Sequence, residues 1–389
     1  MIIKRALFQR VEPYFDSKEA IIVTGMRRVG KTIFLRSIFE IIPSTNKLFL
    51  DLENPLNRKY FEQQDFEQIK FAFEALGLSF SKPAYIFLDE IQLIRNIPQI
   101  VKYLMDHYPV KFFLTGSASF YLKNIFSESL AGRKYLFELY PLSFTEFLAL
   151  KEANLQIPSH NLKLNTAIFE TISRYYREYI DFGGFPQVAA KTSMQEKKEA
   201  LSDIFASYFQ LEVKQLSDFR KINKLRDLIL LLSTRIGSKL DINKLSQELS
   251  LSRQTVYDYI AFLEGTYFIK LITPFTSSRG VEIKKMPKLY ACDSGLINTI
   301  SPLNEGALFE QAVFQNLRLK GELNFYQRKS GVEIDFILNK KEAYEVKIKP
   351  YEKDLRKLAG LSRELGLTIY NVVSLKHSNL KNVVYGFEL

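Results

Sequence analysis

The sequence predicts an α/β protein in which a parallel sheet carries a phosphate-binding loop, followed by a winged helix-turn-helix and a small second α/β domain. Three observations predict this order. An apolar run, a glycine-rich loop and an amphipathic run follow one another near the N-terminus. A second apolar run ends in two adjacent acidic residues, which suits a buried parallel strand whose end faces a ligand. Helical periodicity and then alternating strands fill the second half of the chain.

The phosphate-binding loop is predicted at residues 25–32, which have the pattern G-x-x-x-x-G-K-T. The apolar run before it predicts a strand, and the apolar spacing after it predicts a helix. Glycines let backbone N–H groups turn toward an anion, and the helix N-terminus points at the same place. We expect Lys31 to act on the β- and γ-phosphates of a nucleotide and the Thr32 hydroxyl to hold Mg²⁺. The predicted nucleotide-binding residues here are Gly25, Met26, Arg27, Arg28, Val29, Gly30, Lys31, Thr32 and Ile33.

Composition and length exclude several classes of protein. A chain of 389 residues with 47% hydrophobic and 25% charged residues is expected to form two or three globular domains. No apolar run is long enough for a membrane span and no signal peptide is recognisable, so we expect a cytoplasmic protein without membrane contact. One cysteine and three dispersed histidines argue against a disulfide framework and against a metal centre built on either residue. The net charge of +11 fits a nucleic-acid partner, but it fits an ordinary lysine-rich protein equally well.

Two adjacent acidic residues form the second motif. The apolar run at 85–88 leads directly into Asp89 and Glu90, and the carboxyl ends of buried parallel strands are where such sheets bind ligands. We expect Asp89 to hold Mg²⁺ and Glu90 to orient or deprotonate the attacking water. The alternative for such a pair is a helix N-cap. After the next buried strand, Thr115 and Ser117 are predicted to contact the γ-phosphate, again with a helix N-cap as the alternative.

Arg133 is the predicted arginine at the γ-phosphate. It precedes a strand-like run, and nucleoside triphosphatases often use an arginine to stabilise the transition state, from the same chain or from a neighbouring subunit. A surface ion pair is the alternative role. A little further on, Ser143 and Glu146 have the spacing of a capping box, which predicts a helix that ends near Leu150.

Six motifs together resemble a known family. They are G-M-R-R-V-G-K-T, L-D-E-I-Q, L-T-G-S-A-S, L-A-G-R, Y-P-L-S-F-T-E-F and Y-I-D-F-G-G-F-P. With these motifs the sequence resembles, over almost its whole length, a prokaryotic AAA+-type ATPase family in which a P-loop NTPase module precedes a C-terminal domain of unknown function. The resemblance implies an AAA+-like fold, binding of ATP with Mg²⁺, and a winged-helix segment after a small helical lid. It implies no particular cellular substrate.

The last of these motifs interrupts a helix-rich region at residues 165–215. Its two glycines and its proline predict a tight loop that packs against the nucleotide module. We interpret the loop as structural, with Tyr179 and Phe185 as core anchors.

Two helices joined by a short turn predict the winged helix-turn-helix. Residues 241–249 and 253–264 form the helices, and a strand-like run follows them. The exposed start of the second helix carries residue types that contact the phosphates and base edges of double-stranded DNA, namely Ser252, Arg253, Gln254 and Tyr257. The lysines expected on or near the wing are Lys284, Lys285 and Lys288. The alternative is a packing platform that does not contact DNA.

The last third of the chain has two acidic residues and a lysine with the spacing D-x(9)-E-x-K. Asp335 lies in one predicted strand, while Glu345 and Lys347 lie on the same side of the next strand. Converging carboxylates and a lysine can bind Mg²⁺ and activate water for phosphodiester cleavage. The pattern is similar to a restriction-endonuclease-like core, with Glu310 as a helix-borne acid. One hypothesis is therefore a nuclease whose Mg²⁺ site contains Glu310, Asp335 and Glu345, and the other is a scaffold or nucleic-acid clamp without activity.

The predicted domains are an ATPase module at 1–150, a helical lid at 151–220, a winged helix at 221–292 and the nuclease-like domain at 293–389. The leading hypothesis is Mg²⁺-dependent ATP hydrolysis that switches the arrangement of the other domains, acting on DNA. Three alternatives are open. They are an ATP-regulated nuclease, a nucleotide-switched interaction protein without DNA contact, and a remodelling motor that forms a homo-oligomeric ring with Arg133 acting on the neighbouring subunit.

Overall fold

The structure is a computed structural model that describes residues 3–63, 65–116, 132–157, 164–213, 222–276 and 286–389. It contains two compact units. The N-terminal unit consists of residues 1–140 and 265–267, and the C-terminal unit consists of residues 141–264 and 268–389. Apart from residues 265–267, the three regions predicted as separate domains after residue 150 thus lie in one unit.

The N-terminal unit is built on a five-stranded parallel sheet. The strands are β1 (Ala20–Thr24), β2 (Lys47–Asp51), β3 (Ala84–Asp89), β4 (Val110–Gly116) and β5 (Lys134–Glu138), in the order β2-β3-β4-β1-β5. The described helices are α1 (Leu7–Val11), α2 (Lys31–Ile41), α3 (Pro55–Arg58), α4 (Phe66–Ala75) and α5 (Ile97–His107). Because the strands are parallel, their carboxyl ends share one edge of the sheet, where ligands bind in folds of this type.

The central strands β1, β3 and β4 are almost entirely buried, which explains their unbroken apolar runs. On one face of the sheet, the ring of Phe87 in β3 stacks on Phe113 in β4 with centroids 4.6 Å apart. Phe39 of α2 meets Phe87 edge-on at 5.2 Å. Aromatic pairs of this kind add about 0.5–1.5 kcal/mol each beyond the area that they bury. The helix that follows the phosphate-binding loop is thereby fixed on the sheet.

The C-terminal unit combines helices with a seven-stranded mixed sheet. Its described helices are α6 (Phe144–Leu150), α7 (Thr166–Phe182), α8 (Pro186–Ala189), α9 (Met194–Tyr208), α10 (Ile222–Ser233), α11 (Ile242–Leu249), α12 (Arg253–Gly265), α13 (Ser294–Ile300), α14 (Glu305–Leu317) and α15 (Glu352–Glu364). Its strands are β6 (Ile269–Pro274), β7 (Lys288–Ala291), β8 (Leu323–Gln327), β9 (Glu333–Leu338), β10 (Glu342–Lys347), β11 (Ile369–Ser374) and β12 (Val383–Tyr385), in the order β12-β11-β10-β9-β8-β6-β7.

The strand β6 joins two of the predicted domains. It pairs antiparallel with β7 and parallel with β8, where Thr273 lies opposite Asn324. Strands β8, β9 and β10 then form an antiparallel meander, and β11 and β12 continue the sheet in parallel. The boundary predicted between residues 292 and 293 therefore falls inside a single sheet. Backbone pairing between segments about 50 residues apart leaves no local signal in the sequence.

The double-glycine loop closes on the carboxylate of Asp293. A Cβ atom on Gly183, whose φ is 75°, would lie 1.9 Å from an oxygen of that carboxylate. The amide of Gly184 donates a hydrogen bond of 2.7 Å to it. Tyr179 and Phe185 are fully buried, as expected of core anchors. The loop therefore needs glycine for close packing within the C-terminal unit.

Local sequence signals match the structure closely where they do not depend on distant partners. Helix α6 begins with the predicted capping box, in which Ser143 and Glu146 exchange hydrogen bonds of 2.9 and 3.2 Å. Among the residues that the structure describes, no helix combines the length and the apolar character needed to cross a membrane.

Candidate active site

The phosphate-binding loop connects the carboxyl end of β1 to the start of α2. Its two glycines have distinct roles. A Cβ on Gly25 would lie 2.1 Å from the carbonyl oxygen of Leu139, so only glycine fits against this backbone. Gly30 caps α2 with a φ of 97°, a conformation that glycine adopts without strain. The loop is therefore shaped by close backbone packing at its start and by a left-handed turn at its end.

The side chains of the loop divide between its inside and its surface. Met26 and Val29 are buried, while Arg27 is half-buried, with a guanidinium nitrogen 4.0 Å from Glu53. Arg28 has a left-handed φ of 65° and an exposed side chain, and Ile33 in the first turn of α2 is 53% exposed. Polar main-chain groups therefore carry most of the anion-binding capacity of the loop.

Lys31 reaches back across the loop. Its side chain is buried, and Nζ donates hydrogen bonds of 3.0 Å to the carbonyl oxygens of Gly25 and Met26. The ammonium group is thus held beside the loop backbone, where the phosphates of a nucleotide are expected. A bound triphosphate would compete with these carbonyls for the same ammonium group.

The acidic pair lies at the end of β3, and the structure brings it to the loop. Asp89 is 2% exposed, and its carboxylate accepts hydrogen bonds from the hydroxyls of Thr115 in β4 and Thr32 in α2. Burial raises the pKa of the Asp89 carboxyl, and these two hydroxyls oppose the rise. Thr32 and Asp89, predicted as Mg²⁺ ligands from sequence segments 57 residues apart, are therefore neighbours. A buried carboxylate beside a hydroxyl is a set of hard oxygen donors that suits Mg²⁺.

Glu90 is buried and has a left-handed backbone with φ 57°. For a residue other than glycine, this conformation costs roughly 1–2 kcal/mol. Strain of this kind is characteristic of functional sites. The side-chain amide of Gln92 donates a hydrogen bond to the Glu90 carboxylate. The backbone N–H of Glu90 donates one of 3.3 Å to Thr115 Oγ1. Sequence reasoning did not assign a role to Gln92, although the L-D-E-I-Q motif includes it.

Arg133 does not lie with these groups. It stands just before β5, and its carbonyl accepts a hydrogen bond from Ala20 at the start of β1. The phosphate-binding loop begins at the other end of β1, about 13 Å away at the usual rise per residue of a strand. The guanidinium group forms a half-exposed ion pair with Asp106. Within one chain this placement does not support the predicted role at the γ-phosphate and matches the alternative, a surface ion pair. Ser117 lies outside the described residues.

In the C-terminal unit, the strands β9 and β10 bring the D-x(9)-E-x-K residues together. Asp335 accepts a hydrogen bond of 2.8 Å from the amide of Val346. Glu345 Oε1 accepts hydrogen bonds from Lys347 at 2.8 Å and from Lys357 at 3.5 Å. The other carboxylate oxygen of Glu345 is buried and has no hydrogen-bond partner among the described residues. Burial, and then the charge of Asp335, raise the pKa of Glu345.

Lys288 is the main departure from the predicted site. The sequence predicts it on or near the wing, and the structure places it at the start of β7 but buries it at 4% exposure, so its side chain is not exposed for contact with DNA. Its ammonium nitrogen lies 3.8 Å from Glu310, 3.6 Å from Glu333 and 3.6 Å from Asp335. In the described ranges, no three His, Cys, Asp or Glu side chains are grouped so that they could hold a metal ion. The Mg²⁺ site predicted at Glu310, Asp335 and Glu345 stays a prediction, and in this arrangement Lys288 is the cation that contacts two of its three carboxylates, Glu310 and Asp335.

The helices α11 and α12 form the predicted helix pair. Val256, Ile260 and Leu263 of α12 are buried. The opposite face is exposed at the positions predicted to contact DNA, which are Ser252, Arg253, Gln254 and Tyr257. Within this face, Gln254 donates a hydrogen bond of 2.9 Å to Asp258. Lys284 and Lys285 lie outside the described residues.

Models of known protein families match three successive parts of the chain. Residues 17–148 match an AAA domain. Residues 173–307 and 305–384 match two domains of unknown function, DUF8612 and DUF4143. The five-stranded parallel sheet and the phosphate-binding loop of the N-terminal unit agree with the first match, so this unit has a P-loop NTPase fold.

Curated relatives align with nearly the whole chain. An uncharacterized protein of Methanocaldococcus jannaschii, MJ1544, is 30% identical over 379 residues, which cover 90% of this chain and 82% of that protein. An uncharacterized protein of Haemophilus influenzae is 25% identical over 374 residues, which cover 91% of this chain and 90% of that protein.

Two solved structures show distant similarity to the chain. The Orc1 protein of Aeropyrum pernix in complex with DNA gives a TM-score of 0.35 at 12% identity, covering 77% of this chain and 93% of that chain. AMPPCP-bound DnaA from Aquifex aeolicus gives a TM-score of 0.29 at 15% identity, covering 68% and 89%. Scores this low carry no argument about function.

Proposed function

The chain belongs to the same family as these uncharacterized archaeal and bacterial proteins, and on that premise we propose that it is a Mg²⁺-dependent ATPase whose nucleotide state controls its C-terminal unit on DNA. The observation that carries the proposal is the meeting of Thr32 and Asp89 beside Lys31. Lys31 and Thr32 belong to the phosphate-binding loop, and Asp89 ends a different strand. Their meeting is expected of a P-loop NTPase fold and not of folds in general. ATP is favoured over GTP by the family, and the sequence has no guanine-reading N-K-x-D motif.

The residues of the site divide the work of phosphoryl transfer. The loop amides, the N-terminus of α2 and Lys31 would bind the β- and γ-phosphates. Asp89 and Thr32 would hold Mg²⁺, which neutralises charge on the phosphate oxygens when it is bound. Glu90, held by Gln92, would orient the attacking water and accept its proton. Arg133 would stabilise the transition state only if it came from a second chain, which is the ring-forming alternative.

The proposed DNA contact rests on the exposed face of α12. Helices α10, α11 and α12 followed by the antiparallel pair β6 and β7 have the element order of a winged helix. Arginine, glutamine, serine and tyrosine side chains on the exposed start of α12 suit contacts with phosphates and base edges. The net charge of +11 is compatible with the same partner. If the face is only a packing platform, the chain is instead a nucleotide-switched interaction protein.

A second candidate function is cleavage of nucleic acid by the C-terminal unit. The approach of Asp335 to Glu345, the pairing of Glu345 with Lys347 and the unpartnered Glu345 oxygen favour this candidate. The ion contacts of Lys288 oppose it, because cleavage with Mg²⁺ would require the carboxylates to exchange that lysine for a metal. We therefore rank it below the ATPase.

ATP hydrolysis by the purified chain, with and without duplex DNA, tests the proposal. We expect Mg²⁺-dependent hydrolysis that rises with DNA, is lost in Lys31→Ala and is retained in Glu345→Ala. The fate of the DNA in the same reactions tests the second candidate, since nicking that is lost only in Glu345→Ala would favour the nuclease. Absence of hydrolysis by the wild-type chain under all these conditions would contradict the ATPase.

A further inference from the structure

Arg5 lies outside all the sequence motifs, and its side chain binds the backbone of the phosphate-binding loop. Arg5 is buried, with 9% of its surface exposed. One terminal nitrogen of its guanidinium group donates a hydrogen bond of 2.9 Å to the carbonyl oxygen of Val29, and the other donates one of 2.6 Å to the carbonyl oxygen of Tyr140. All three residues belong to the N-terminal unit.

The first of these bonds determines the direction of a loop amide. The Val29–Gly30 peptide is trans, and in a trans peptide the carbonyl and the following N–H point in opposite directions. Because Arg5 engages the Val29 carbonyl, the N–H of Gly30 points away from Arg5. A loop that binds an anion must present amides and not carbonyls to the ligand. The contact thus turns the Val29 carbonyl toward Arg5 and leaves the Gly30 N–H on the opposite side of the backbone, free of that carbonyl.

The second bond fixes the backbone that supports the start of the loop. Tyr140 directly follows Leu139, whose carbonyl lies against Gly25 and excludes any side chain there. The amide of Leu139 also donates a hydrogen bond of 2.8 Å to the carbonyl of Thr24, the residue before Gly25. One guanidinium group therefore connects the end of the loop to the segment that supports its beginning. The planar fork of arginine holds its two terminal nitrogens a fixed distance apart, so it fixes the spacing of the two carbonyls that it binds, which a single ammonium nitrogen does not.

We propose that Arg5 is a positioning residue that holds the phosphate-binding loop in the conformation that receives the triphosphate of a nucleotide. The inference rests on the proposed ATP binding. With Arg5 in place, ATP binding does not have to supply the free energy that orders the loop. Without Arg5, only a fraction of the molecules has a loop that can bind ATP, and the apparent affinity falls in proportion to that fraction. A purely structural arginine would change the melting temperature and leave the affinity of the folded protein unchanged.

The test uses the full chain with Arg5→Met, Arg5→Lys and, as the matched control, Arg10→Met, which removes an exposed arginine of α1. The dissociation constant for Mg-ATP is measured by calorimetry well below the melting temperature of each variant, and KM and kcat are measured in parallel. We expect Arg5→Met to weaken Mg-ATP binding about tenfold, Arg5→Lys to weaken it less, and Arg10→Met to match the wild type.

Wild-type affinity in folded Arg5→Met, with only a lower melting temperature, would overturn the inference. If Arg5→Met does not fold, Arg5→Lys decides, because wild-type affinity in that variant would show that the two-carbonyl fork is not needed. Failure of the proposed function gives a different result. In that case the wild-type chain itself does not bind Mg-ATP, or Lys31→Ala binds it as tightly as the wild type.

Discussion

The hydroxyl of Thr115 donates a hydrogen bond to the carboxylate of Asp89. The hydroxyl oxygen of Thr115 in turn accepts a hydrogen bond from the backbone N–H of Glu90. Thr115 belongs to β4, which lies between the strand of the phosphate-binding loop and the strand of the acidic pair. The sequence predicts Thr115 as a contact of the γ-phosphate. In the structure its hydroxyl is engaged by the acidic pair, so we expect it to act by orienting Asp89 and Glu90.

Replacing Thr115 with valine tests this role. The substitution keeps the shape of the side chain but removes one of the hydrogen bonds that favour the ionised form of Asp89, a net loss of about 1 kcal/mol for a typical bond. We expect the Mg²⁺ concentration for half-maximal ATP hydrolysis to rise several-fold, as steady-state assays would measure. Thr115→Ser, which keeps the hydroxyl, should behave like the wild type. An unchanged Mg²⁺ dependence in Thr115→Val would contradict the role.

Lys288 should stabilise the C-terminal unit by neutralising buried carboxylates. Lys288→Met leaves Glu310 and Asp335 without their buried cation, and removal of one partner from a buried ion pair typically costs about 3–5 kcal/mol. Urea unfolding would measure the loss. Lys270→Met, which removes an exposed lysine of β6, should change stability by less than about 1 kcal/mol.

Adding Glu310→Gln to Lys288→Met should recover part of the lost stability, because one uncompensated carboxylate is then removed as well. A Lys288→Met protein as stable as the wild type would show that the carboxylates do not depend on the lysine. Strong stabilisation of the wild-type chain by Mn²⁺, lost in Asp335→Asn, would show that metal displaces the lysine readily and would favour the nuclease.

Glu310 should make the stability of the C-terminal unit depend on pH. Burial, and then the negative charge of Asp335, raise the pKa of Glu310 from 4.5 to about 7. A carboxyl group with a raised pKa contributes stability below its ordinary value and loses that contribution as the pH rises through the value in the fold. We therefore expect the free energy of unfolding to fall between these two pH values by at most about 1.4 kcal/mol per pH unit.

The fall should be absent in Glu310→Gln, which cannot ionise, when urea unfolding is followed over the same pH range. Parallel curves for this variant and the wild type would contradict the assignment. Lys288 and Tyr290 also face Glu310, but both are expected to keep their protons throughout this range.

DNA binding should depend on the exposed start of α12. Arg253→Ala and Gln254→Ala each remove a side chain of a type that contacts phosphates or base edges, and a good contact contributes about 1–3 kcal/mol. Fluorescence anisotropy with a labelled duplex should therefore show affinity at least tenfold lower in the double variant at low salt. Lys198→Ala removes an exposed charge of α9 and serves as the control. Equal affinity of the double variant and the wild type would remove the DNA-binding role of this face.

The sequence predicted best what is encoded locally. The loop from Gly25 to Thr32, the end of β3 at Asp89 and the capping box of α6 follow from spacing and residue type, and the structure places them as expected. These features need only a few neighbouring residues to define them.

What the sequence could not predict depends on contacts between distant segments. The burial of Lys288 among carboxylates requires β7 to lie near α14 and β9, and no pattern near residue 288 records that pairing. The position of Arg133 at the far edge of the sheet follows from its register with β1. Arg5 had no motif to identify it, because its partners are backbone carbonyls, which leave no residue preference in the sequence.

The affinity of the purified chain for Mg-ATP, compared with Lys31→Ala and Glu90→Gln, tests the central claim most directly. The account predicts that the wild type and Glu90→Gln bind Mg-ATP, that Lys31→Ala binds it far more weakly, and that only the wild type hydrolyses it at an appreciable rate. No detectable Mg-ATP binding by the wild type, or binding that is the same in Lys31→Ala, would contradict it.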